Sequence, residues 1–88
     1  MIYDDELIEE INKRFTKKPN ILYWVRIVYE RFSRVINVFF EHAEINLATY
    51  SEYIGEYAET EKDRMHELGK RIERETNVRV ELAGFEYA

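Results

Sequence analysis

The stretch FFEHAEINLATYSEYIGEYAE, residues 39–59, gathers Glu41, His42, Glu44, Glu56 and Glu59 into two short clusters. Carboxylates at such spacing are the ligands of hard cations, and a bound cation can neutralise phosphate oxygens or activate water. The competing assignment is the wet face of two helices. His42 and His66 do not complete a Glu-x-x-His pair, because Phe39 and Asp63 stand three residues before them. Ser33 and Ser51 lack a Gly-rich elbow, and three Gly in the whole chain leave no phosphate-cradling loop. No catalytic residue, metal ligand or cofactor is assigned on these grounds.

Glu41-x-x-Glu44 and Glu56-x-x-Glu59, set on two helices, loosely resemble the acidic motifs of the all-α, MazG-like nucleoside triphosphate pyrophosphatases. The resemblance covers these two motifs alone and implies magnesium held against a triphosphate. Phe40–Glu41 stands where that family begins its first motif with paired Glu, and Glu59 where it usually has Asp. At about 100° per helical residue, Glu41 lies roughly 165° and Glu44 roughly 105° from the centre of the Ile36–Phe39–Ala43 stripe. Carboxylates turned away from a shared core cannot converge. A solvated face is therefore the preferred assignment, with the hydrolase kept as a second alternative.

The elements that would carry these residues read as mainly α. A short N-terminal helix is expected over 4–18, with Asp4, Asp5 and Glu6 at its start and Lys17 and Lys18 at its end, complementing the helix dipole. Pro19 interrupts it. A second helix is expected over 20–47, where Val25, Tyr29, Phe32, Ile36, Phe39 and Ala43 step by four and three. Thr49-x-x-Glu52 has the form of a capping box for a third helix over 50–75. Helices two and three form a long hairpin, or one rod roughly 80 Å long. VRVEL predicts a short C-terminal β-strand over 78–82, continued in style by Phe85 and Tyr87. That strand needs a second copy, the Ile2–Tyr3 segment or another protein as its partner.

Eighty-eight residues make a single domain. Cysteine is absent, so disulfides and thiolate zinc sites are excluded. No apolar run reaches membrane-span length, which leads to the expectation of a soluble, cytoplasmic protein without a membrane partner. Residues 1–40 carry seven Lys or Arg against six Asp or Glu, and residues 41–88 carry six against twelve. The net charge of −5 gives no general attraction to nucleic acid.

The leading functional expectation is a non-enzymatic protein-interaction module: an adaptor, inhibitor or regulator that presents helix faces to a partner protein. Trp24, Tyr50, Tyr53 and Tyr57 are its candidate contacts, since Trp and Tyr dominate interface energetics. A homodimer is expected through Val25, Tyr29, Phe32, Ile36, Phe39, Val78 and Val80. The first alternative is a nucleic-acid-binding regulator using Lys13, Arg14, Lys17, Lys18, Arg26, Arg31 and Arg34 beside Tyr23 and Trp24.

Overall fold

The structure, a computed structural model, describes residues 2–85. Helix α1 (Asp4–Arg14) is followed by three ten-residue strands, β1 (Ile21–Glu30), β2 (Val35–Glu44) and β3 (Thr49–Ala58). A 3-10 turn (Glu59–Arg64) leads into helix α2 (Met65–Thr76), and the short strand β4 (Arg79–Ala83) closes the order. The sheet runs β3-β2-β1-β4, with β1–β2 and β2–β3 antiparallel and β1–β4 parallel.

This is an α+β fold, and it overturns the mainly α expectation, the helical hairpin, the rod and the coiled-coil seam. The segments assigned to the second helix and the first part of the third are strands. Residues 21–30, ILYWVRIVYE, are dense in β-branched and aromatic side chains, which fit a pleated surface better than a helix. Their operative period is two. Val25, Ile27 and Tyr29 on β1 and Ile36, Val38 and Phe40 on β2 are buried, in one cluster with Leu7 and Ile11 of α1 and Leu68 and Ile72 of α2. The four-three stepping of Val25, Tyr29, Phe32, Ile36 and Phe39 crosses a turn and mixes the two faces of the sheet.

The β1–β2 and β2–β3 turns carry no Gly or Pro to mark them, and only the turn into β1 has one, Pro19. Arg34 (φ 57°), Asn46 (φ 68°) and Asn20 (φ 66°) take the left-handed conformation instead, a state that Asn tolerates better than most residues. Lys17 (φ 54°) does the same, and α1 has already stopped at Arg14, not near 18, because Phe15 is extended. Thr49, read as a helix cap, opens β3. Helix α2 ends at Asn77, left-handed at φ 62°, while the Thr76 hydroxyl donates to the Ile72 carbonyl (2.7 Å) and accepts the Val78 N–H (3.2 Å).

The C-terminal strand is present over Arg79–Ala83, and its partner is β1 of the same chain. Gly84 (φ 86°) then turns the backbone, so Phe85 leaves the strand and packs against Tyr29 at 5.7 Å between ring centroids. Tyr87 lies outside the described residues.

Both helices pack on one face of the sheet and an ionic staple fixes them there. Asp4 at the start of α1 accepts the Tyr57 hydroxyl (2.7 Å) and two Arg64 nitrogens (2.9 and 3.1 Å), while Arg71 of α2 reaches Asp5 at 2.6 Å. Burial opposes ionisation of Asp4, but the bonds from Arg64 and Tyr57 prevail and hold its carboxyl below the ordinary value. Burial first, and then the bond to Asp4, push the Tyr57 hydroxyl far up. The opposite face of the sheet has no helix over it among the described residues. Among the described residues no helix is long and apolar enough to cross a membrane.

Candidate interaction surface

Strand alternation decides which side chains reach that uncovered face. Leu22, Trp24, Arg26 and Val28 of β1 stand beside Ala43, Glu41, Phe39 and Asn37 of β2 in the antiparallel register. Ser51 and Tyr53 of β3 follow beside Glu41 and Phe39. On the other flank β4 places Arg79 beside Trp24 and Glu81 beside Arg26. The Phe39 and Tyr53 rings meet edge to face, 6.1 Å between centroids, an arrangement that the aromatic quadrupole favours.

Glu41 lies on this face and is only 7% exposed. The Trp24 indole N–H donates to one of its oxygens (2.7 Å) and the Ser51 hydroxyl to the other (2.8 Å). A desolvated carboxylate is costly without such donors. Trp24, Glu41 and Ser51 thus tie β1, β2 and β3 across one row of the sheet.

The acidic clusters do not assemble. Their four glutamates lie on β2, on β3 and at the start of the 3-10 turn, so the paired helices behind the pyrophosphatase resemblance are absent. A spacing of three sends Glu41 and Glu44 to opposite faces of β2. Glu56 accepts the Tyr53 hydroxyl at 2.8 Å; that bond, with some burial, holds the phenol above its ordinary pKa. Among the described residues no three His, Asp or Glu stand together as a metal-holding group. His42 stacks on Tyr50, 5.3 Å between centroids and 18° between planes, and His66 is exposed on α2.

The proposed contact residues separate in the same way. Trp24 is half-buried on the uncovered face, and Tyr50 and Tyr53 are 64% and 52% exposed on β3. Tyr57 is a core residue bonded to Asp4. Of the residues assigned to a dimer seam, Val25, Tyr29, Ile36 and Val78 are buried within the chain's own core. Val80 is half-buried under α2, Phe39 lies on the uncovered face, and Phe32 projects from the β1–β2 turn at 99% exposure.

The basic residues are dispersed. Lys13, Arg14, Lys17 and Lys18 cluster at the end of α1, Arg26 lies on the uncovered face, and Arg31 and Arg34 occupy the turn at the far end of β1. Arg14 is engaged by Glu52 (2.7 Å) and by Glu10, and these bonds raise its pKa further.

Sequence patterning missed Leu22, Ile45 and Leu47. With Tyr50 and Tyr53 they make five of the seven exposed large hydrophobics among the described residues; Leu22, Ile45, Leu47 and Tyr50 lie at the β2–β3 turn end of the sheet, and Tyr53 stands farther along β3 beside Phe39. Beside them a cleft of about 650 Å³ is lined by Lys18, Pro19, Asn20, Ile21, Glu44 and Ile45. The run INLATY of the turn is apolar enough to have drawn attention had it been read as a loop rather than a helix. No family model matches the chain, and no curated protein or solved structure matches it.

Proposed function

We propose that this chain is a small non-enzymatic interaction module, an adaptor, inhibitor or regulator of a partner protein. Its docking element is the β2–β3 turn with the first half of β3, and not a helix face, because the apolar stripes of both helices are turned into the core. The observation that carries this reading is the gathering of exposed Leu22, Ile45, Leu47 and Tyr50 at the β2–β3 turn end of the sheet, with Tyr53 exposed farther along β3. Exposed apolar side chains scattered singly need no explanation, whereas a gathering of them marks a surface that another molecule covers. Tyr suits such a surface, since its ring buries area while its hydroxyl stays wet.

Affinity capture from native lysate, with and without nuclease, tests the proposal against an Ile45→Ser/Leu47→Ser variant. Both positions are exposed, so the fold should persist by circular dichroism. The expected result is a stoichiometric, nuclease-resistant protein that the variant fails to retain. A catch that vanishes with nuclease, or that the variant retains in full, overturns the reading.

A further inference from the structure

Strand β3 is an edge of the sheet, and its outer edge is covered unevenly. Ile2 donates its backbone N–H to the Glu56 carbonyl at 3.1 Å and lays its side chain against Gly55, where an added Cβ would stand 2.8 Å from the Ile2 Cγ2. A register shift opposite Val38 and Phe39 puts an extra residue, Ile54, into the strand just before that contact. A bulge and a covering segment are both devices that keep an edge from pairing. They protect only the second half of β3. Residues 49–53, TYSEY, have no strand on their outer side among the described residues. They are also rich in the residue types that favour strands.

We infer that residues 49–53 pair antiparallel with the same residues of a second copy, about a two-fold axis through Ser51, joining two sheets into one of eight strands. This rests on the interaction-module reading and names one occupant of that surface. The free stretch is self-complementary in this register. Thr49 falls opposite Tyr53 of the partner subunit and Tyr50 opposite Glu52 of the partner subunit. Glu52 is the one charge in the stretch, and Arg14 of its own chain already neutralises it at 2.7 Å. A two-fold centred on residue 52 would instead set two Glu52 side chains against each other. One centred on residue 50 would push the pairing into the turn. Only the axis at Ser51 uses all five residues and clears the bulge.

Light scattering and cysteine crosslinking test this on the full chain, which has no native cysteine. The wild-type protein is expected at twice its 10.7 kDa chain mass at micromolar concentration. Ser51→Cys should oxidise to a disulfide-linked dimer while Phe32→Cys, at the far turn, does not. Tyr50→Glu sets a carboxylate opposite Glu52 of the partner subunit twice per dimer and should weaken association by about tenfold. A monomer mass for the wild-type chain overturns the inference, as does a dimer that Ser51→Cys fails to link. A monomer that still captures its nuclease-resistant protein leaves the interaction-module reading standing without the dimer.

Discussion

Asp4 shows how much one side chain holds in this molecule. It is the first of three acids in a helix-opening run, and the dipole argument alone would make it interchangeable with Asp5 or Glu6. In the structure it receives Tyr57 from β3 and Arg64 from the 3-10 turn, so it fastens α1 to two other elements. Its folded pKa lies below the ordinary 3.8 despite burial. The unfolded chain therefore binds the proton more readily, and the stabilisation is present above pH 3.8 and lost as pH falls through the lower folded value. Asp4→Asn is expected to cost about 1–2 kcal/mol at neutral pH, at the modest end because the group is partly solvated. It should also flatten the acid limb of a plot of thermal stability against pH. An unchanged acid limb in Asp4→Asn would assign that limb to other carboxylates.

Among the elements, α1 was legible because its charges are sorted along the dipole and its apolar residues Leu7, Ile8 and Ile11 keep helical spacing. Strand β4 was legible because VRVEL alternates. The three central strands were not, and the reason is physical. A β-rich run whose inward and outward positions are both apolar, as in Val25, Ile27 and Val28, shows no clean period of two. The left-handed Asn and Arg residues that turn it give no Gly or Pro signal. Gly84 is the turn where glycine is required. Its φ is 86°, and a Cβ there would lie 2.6 Å from the Tyr29 carbonyl oxygen. Gly84→Ala is expected to lower stability by at least about 1 kcal/mol in urea unfolding and to loosen β4 from β1. A neutral result would mean that the turn after β4 can rebuild itself freely.

Over the molecule as a whole, the described residues cover the sheet on one side only. The helix-covered side is core and ionic staple. The other side carries Trp24, Phe39 and the buried Glu41, and one end carries the exposed apolar group. The basic residues form no continuous track, since Lys13, Arg14, Lys17 and Lys18 and the pair Arg31 and Arg34 occupy opposite ends of β1. With a net charge of −5, any affinity for single-stranded nucleic acid should be weak and should disappear between low and physiological salt. Fluorescence titration across salt concentrations checks this, and tight salt-resistant binding would restore the nucleic-acid alternative.

By itself the sequence determined the absence of disulfide chemistry, the first helix and the last strand. Those properties are local or additive, and so they can be read along the chain. Only the tertiary structure decided the rest. Strands β1, β2 and β3 form because each buries alternate side chains against helices distant in sequence, and Glu41 is satisfied because a cross-strand register brings Trp24 and Ser51 to it. The glutamate clusters separate for the same reason: a spacing of three places two carboxylates on the same side of a helix and on opposite faces of a strand.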